Sequence, residues 1–316
     1  MSRSRTRRFL AAFAVAAVAV GTVAACSSDN SSDENAPLRI VASSVPHAEI
    51  LKFVEEKGLL GDTKIEVSEI TGDLDANEVL EAGDTDANFF QHVPYQESWS
   101  KEKGVDDLVA VAKVHVEPLG AYSKKVTNVA DLRQGATVAL SNNVTNFARG
   151  LYLLQQAGLI KLDQQLGAPG TDITQISEKN IIDNPKGLTF TQVDPPQLPR
   201  TLDDGNVDLA IINGNYAIEG GLNPAKDALV LEKAEGNPYA NVLTVRTSLE
   251  NDARVQKLAE ALTSADVATF IEQTYQARSF RPALPDRDPS WSSRSNRSPR
   301  NTAAAHKFCM HSIPYP

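Results

Sequence analysis

In the run Ser141-Asn142-Asn143-Val144-Thr145-Asn146-Phe147-Ala148-Arg149-Gly150, polar residues end a β-like stretch and open a helix whose Phe147, Leu151 and Leu154 make an apolar stripe. Asn146 and Arg149 are three apart, so they share a neighbouring face near the helix start. Free backbone N–H groups, the helix dipole and a guanidinium together suit an anion such as a carboxylate. An Asn cap followed by a surface Arg is the plainer alternative for the same residues. In Phe90-Gln91-His92-Val93-Pro94-Tyr95 a short strand ends in aromatics and a helix begins near Pro94, so Phe90, His92 and Tyr95 can gather at a strand's carboxyl end. Open α/β sheets bind ligands at that edge, although single rings are also common in cores. Asn213 ends a third strand and Asn241 lies in the returning chain, and both amides can meet a polar head group; Asn at a strand end is otherwise a turn former.

Other chemistries lack support. There is no G-x-S-x-G elbow, no Walker motif and no dinucleotide fingerprint, and the body has only three histidines, His47, His92 and His115. The acids of Asp84-Thr85-Asp86 read as turn formers before a strand, so no catalytic residue, metal site or cofactor is expected.

The elements that must carry these residues alternate. Strand-like runs at Leu38 to Ala42, Lys64 to Ile70 and Ala87 to Phe90 are separated by helical patterns from Pro46 through Lys57 and around Asn77 to Glu81. Ile50, Leu51 and Val54 make the apolar stripe of the first helix. After Leu108 to Val116 an irregular segment, Glu117 to Lys125, breaks the pattern. A second series follows: Thr137 to Leu140, a helix from Thr145 to Gln156, Thr189 to Val193, a helix near Gln197 to Asp203, and Leu209 to Ile212. The expectation is an α/β protein with largely parallel sheets in two lobes and a cleft between them. Residues 37–121 and 238–276 form the first lobe in this reading, and 122–237 the second.

The chain has 316 residues, 41% hydrophobic and 22% charged, with a formal net charge of −9. Four leader arginines and a basic tail conceal a body that is more acidic still, which argues against a nucleic-acid partner. Residues 1–25 join a basic start to an uncharged apolar run ending Val23-Ala24-Ala25-Cys26, the pattern of a secretory signal. The aliphatic residue, two small residues and cysteine resemble a bacterial lipobox, which implies cleavage before Cys26, its acylation, and anchoring at the extracytoplasmic face of the cell membrane. Arg7-Arg8-Phe9-Leu10 also resembles a twin-arginine signal, so the export route stays open. Residues 26–36 read as a flexible tether.

Pro46-His47-Ala48-Glu49-Ile50, Asp86 through Tyr95, Tyr122-Ser123-Lys124-Lys125, Thr145-Asn146 with Arg149, Gly158 to Leu162, Asn184-Pro185-Lys186 and Pro196 to Asp204 are similar to the methionine-binding lipoproteins of ABC importers, the NlpA type. The likeness is colinear from about residue 38 to Tyr275. It implies a two-lobed periplasmic-binding-protein fold, type II-like, that captures one amino acid and hands it to a permease driven by an ATPase. By position it implies a thioether pocket of Phe90, His92 and Tyr95, a carboxylate clamp of Arg149 and Asn146, and head-group contacts from Asn213 and Asn241. A monomer is expected. Where relatives place an aromatic, this chain has Asp73, a candidate specificity position.

After Gln276 the likeness stops, and residues 277–316 are rich in Ser, Arg and Pro, a composition expected to be disordered. With one G restored ahead of them, suitable codon choices for Ala277 to Pro282 regroup to spell Gly-Ser-Val-Ile-Pro-Ala, close to the ending the resemblance implies. The tail therefore reads as the product of a shifted frame, with Cys309 an incidental thiol. The alternatives are a binding protein for another small amino acid or a methionine-containing dipeptide, a surface-anchored hydrolase, and a structural surface antigen without a small ligand.

Overall fold

A computed structural model describes residues 36–71, 74–233 and 237–275. The expectations for the leader, Cys26, Asp73 and the tail from 277 fall outside these residues.

The first series runs β1 (Leu38–Ala42), α1 (Glu49–Glu56), β2 (Ile65–Glu69), α2 (Ala76–Glu81), β3 (Ala87–His92), α3 (Val93–Lys103) and β4 (Leu108–Val116). The chain then crosses to β5 (Gly120–Tyr122), β6 (Thr137–Ser141), α4 (Val144–Gln156), β7 (Lys161–Leu162), β8 (Ile181–Asp183), β9 (Thr189–Val193), β10 (Leu209–Ile212), α5 (Gly214–Glu219), α6 (Pro224–Asp227) and β11 (Val230–Leu231). It returns through β12 (Ala240–Arg246) and ends in α7 (Ala253–Leu262) and α8 (Ala265–Tyr275).

Two five-stranded sheets result, β2-β1-β3-β12-β4 and β11-β5-β10-β6-β9, with β7 and β8 as a separate ladder. Each large sheet has two parallel and two antiparallel pairings, so it is mixed where a largely parallel sheet was expected. The reason is the double crossing. The antiparallel pairings all involve β4, β5, β11 or β12, the strands that carry the chain out of one sheet and back.

Each sheet owns a core. In the first, Ile50, Leu51 and Val54 of α1 are fully buried with Leu38, Ile40, Phe89 and Leu243, and α7 and α8 add Leu258 and Ile271. In the second, α4 packs Phe147, Leu151 and Leu154 against Val138, Leu140 and Ile211. Gly150 permits that approach, since a Cβ there would lie 2.4 Å from Leu140 Cδ2. The first helix begins later than its sequence pattern suggests. Ser44–Ala48 is a wide π-type turn broken by extended backbone at Val45, and regular helix starts only at Glu49. The segment at Gln197 to Asp203 is part of a tighter 3-10 turn series, Pro195–Asp203.

Beneath the carboxyl end of β3 lies a cluster of buried amides. Asn88 Nδ2 donates to Asn77 Oδ1 at 2.7 Å and to the Ala76 carbonyl at 3.1 Å, while Gln91 Nε2 donates to Asn77 Oδ1 at 2.7 Å and Asn88 Oδ1 at 3.0 Å. Buried amides stabilise only when mutually satisfied. This cluster pins α2 to β3 and hence fixes where Phe90 and His92 emerge. Asn88→Ala, which strips the donor from the Ala76 carbonyl, is expected to lower unfolding free energy by about 1–3 kcal/mol in urea titrations. A loss below about 0.5 kcal/mol would show that the cluster carries little of that anchoring.

Candidate functional site

Two helix starts are built by side-chain caps. His92 precedes α3 and its Nδ1 accepts the Tyr95 N–H at 3.1 Å. Asn143 precedes α4 and its Oδ1 accepts the Asn146 N–H at 3.0 Å. The Asn146 backbone N–H is therefore taken by the cap, one of the first-turn N–H groups that an anion would otherwise meet. The plainer alternative is half right: Asn143 is indeed a cap, but Arg149 is only 1% exposed and no surface residue.

A cavity of about 430 Å³ is lined by Phe90, His92, Tyr95, Asn146, Arg149, Asn213 and Asn241 together with residues the sequence reading did not nominate, among them Gln91, Glu117, Asn142, Asn143, Asp194, Asn215 and Tyr216. All seven nominated positions thus reach one wall or another of a single space. On one side Tyr95 stands edge-on to Phe90, with centroids 5.8 Å apart, and to His92 at 6.3 Å. That arrangement favours the ring quadrupoles and offers an apolar face.

Another part of the lining is charged. Arg149 meets Glu232, its Nε 2.9 Å from Oε1 and its Nη2 2.5 Å from Oε2, and Nη2 also donates to the Glu117 carbonyl at 2.6 Å. The guanidinium stacks 4.3 Å over the Tyr239 ring. Burial opposes its charge, but Glu232 foremost, with Tyr239 and Glu117, outweighs that, and the guanidinium pKa is raised. Nη1 is the guanidinium nitrogen with no hydrogen bond to the described residues.

The caps also orient the amides. Because His92 Nδ1 accepts from Tyr95, its proton sits on Nε2 and donates to Asn146 Oδ1 at 3.2 Å. Burial, and then Arg149, push the His92 pKa down to about 3, so the ring is neutral. Asn146 Oδ1 accepts a second bond from Asn213 Nδ2 at 3.1 Å. Asn146 Nδ2 is left as a donor, and Asn213 Oδ1 is a buried acceptor with no partner among the described residues.

His47, His115 and Glu117 form a buried cluster of which Glu117 lines the cavity, with possible ligand atoms within 4.8 Å of one another. Both Nε2 atoms lie against Glu117 Oε1, at 3.2 and 2.9 Å, and His47 Nε2 also lies 3.1 Å from Asn241 Oδ1. Metal-bound histidines use their other ring nitrogen to donate to a second-shell acceptor. His47 Nδ1 has no partner among the described residues, so this geometry is a hydrogen-bond cluster. Burial lowers the His47 pKa to about 4 and the His115 pKa to about 3. Glu117 was hidden in the sequence because nothing local announces it; its only nearby signal is His115 two residues before it.

Comparison with known proteins places this arrangement among relatives. Residues 38–284 match the NlpA lipoprotein family. The chain is 39% identical over 263 residues to the methionine-binding lipoprotein MetQ of Bacillus subtilis, covering 82% of this chain and 93% of that protein. It is 41% identical over 191 residues to the D-methionine-binding lipoprotein MetQ of Escherichia coli, covering 60% of this chain and 68% of that one. A nutrient-binding protein from Burkholderia cenocepacia, solved bound to methionine, superposes with a TM-score of 0.71 at 36% identity, covering 78% of this chain and all of the other. A methionine-binding protein MetQ superposes at 0.70 with 33% identity, covering 77% and 96%. No helix among the described residues is long and apolar enough to cross a membrane. With its match running through nearly all of the described residues, the chain belongs to the NlpA lipoprotein family, whose members are substrate-binding lipoproteins and not enzymes.

Proposed function

We propose that the protein holds one free amino acid, methionine, in this cavity and delivers it to the permease of an ABC importer while anchored to the membrane through acylated Cys26. One observation carries the reading: a single 430 Å³ space is lined both by edge-to-face aromatic rings and by a buried guanidinium with amide donors. An α-amino acid with an apolar, unbranched side chain is complementary to both. Arg149 Nη1 and Asn146 Nδ2 take the carboxylate; Phe90, His92 and Tyr95 take the thioether. The names of the relatives point the same way.

The carboxylate clamp differs from a lone arginine, because Arg149 already has Glu232. Arg149→Ala is expected to weaken methionine binding about 30-fold or more. It also strands Glu232, so Arg149→Ala with Glu232→Gln is the fairer variant for calorimetry once circular dichroism shows a native fold. Less than a threefold change in the double variant would remove Arg149 from the site.

A sulfur within reach of an aromatic edge gains about 0.3–1.5 kcal/mol per contact beyond burial. Methionine is therefore expected to bind more tightly than norleucine, with Tyr95→Ala narrowing the gap. Equal affinities would contradict the thioether assignment.

Anchoring has its own test. Cys26→Ser is expected to shift the protein out of the membrane fraction, and unchanged fractionation with no lipid mass on the mature amino terminus would end that part of the reading.

A further inference from the structure

The excursion between β7 and β8, residues 163–180, belongs to the second series yet reaches the first. Its neck is closed by two bonds, from the Asp163 N–H to the Asn180 carbonyl at 3.0 Å and from Asn180 Nδ2 to Asp163 Oδ1 at 3.1 Å. Buried Ile176, with Ile173 beside it, roots the excursion in the second core. Just before that root, Asp172 caps a 3-10 turn at Ile173–Gln175. Its Oδ1 accepts the Thr174 N–H at 3.0 Å and the Thr174 hydroxyl at 2.7 Å. Those bonds foremost, with Lys101 adding to them, hold the Asp172 pKa below the usual carboxylate range, so the group stays charged. Oδ2 is turned to the first series, where Lys101 Nζ of α3 lies 3.3 Å away. The first turn of α3 carries Tyr95 to the cavity, whereas neither Lys101 nor Asp172 lines it. His92 and Asn146 join the two series at the cavity; Lys101 and Asp172 join them outside it.

We infer that Lys101 and Asp172 form an electrostatic latch, with the 163–180 excursion as its strap, that slows the escape of whatever the cavity holds. This rests on the reading of the cavity as a ligand site. A ligand held between α3 and α4 leaves when the two part, and parting them breaks the ion pair, so the lost attraction shows in the dissociation rate. On the way in, the pair forms only after the ligand has entered, and association is little changed. The two side chains are 69% and 46% exposed, so the attraction is modest and salt screens it. Exposed pairs of this kind are worth up to about fivefold in an equilibrium. Retention is thereby tied to the ionic strength around the protein, while the buried cavity contacts are shielded from it.

The test is stopped-flow measurement of methionine dissociation from wild type, Lys101→Gln, Asp172→Asn and the double variant. Asp172→Asn keeps an oxygen for the Thr174 cap and removes only the charge. At about 0.01 M ionic strength, where the screening length is about 30 Å, each single variant is expected to release methionine about two- to fivefold faster than wild type, and the double variant no faster than the singles. At about 1 M, where that length is about 3 Å, all four are expected to release it at one rate. Single variants that match wild type at low salt would overturn the inference, as would a gap that persists at high salt. If wild type does not bind methionine, the function proposed above fails and the latch is decided on the protein alone. Amide hydrogen exchange in α3 and in residues 163–180 is then expected to be faster in the variants at low salt and equal at high salt. Identical exchange at low salt would overturn the latch.

Discussion

A guanidinium buried to 1% exposure is tolerable only if charge and hydrogen bonds are returned to it, and the rest of the site depends on how Arg149 receives them. Glu232, just past β11, supplies the charge at the point where the chain is about to return to the first sheet. The Glu117 carbonyl, just past β4, supplies an acceptor where the chain has first crossed over. Tyr239, immediately before β12, closes the face of the guanidinium. One side chain on α4 is thus tied to both crossings between the sheets. The mixed sheets and the position of the cavity floor share that tie.

A second dependency runs through hydrogen-bond direction. A helix needs its first amides capped, and His92 meets that need for α3 with Nδ1. The remaining proton then lies on Nε2, which sets the Asn146 amide, which sets Asn213. A local backbone requirement at one helix start therefore decides which atoms of a distant strand end are donors and which are acceptors. The polarity of the cavity follows from it without any flexible choice.

Much of this was legible in the residues. The two series of alternating strands and helices, the stripe of Ile50, Leu51 and Val54, the strand ends bearing His92 and Asn213, and the helix start bearing Asn146 all follow from periodicity and turn chemistry, which act over a few residues. The partners of Arg149 did not. Glu232 is 83 residues away from it and Glu117 lies in a stretch that reads only as irregular, so their meeting depends on topology and leaves no local trace. The antiparallel pairings were missed for the same reason: β12 joins its sheet only after the entire second series has been laid down. An Asn cap was legible in the run from Asn142 to Asn146, but that Asn143 is the cap and takes the Asn146 backbone N–H needed the geometry.

The central claim is that one small zwitterion with a thioether side chain is held between the aromatic wall and the buried arginine. Mass spectrometry of small molecules released on denaturing freshly purified protein tests it most directly, because a binding protein carries through purification what it selected from the cell. The account predicts methionine in an amount approaching that of the protein. Recovery of a peptide or a different amino acid at that level, with methionine absent, would contradict it.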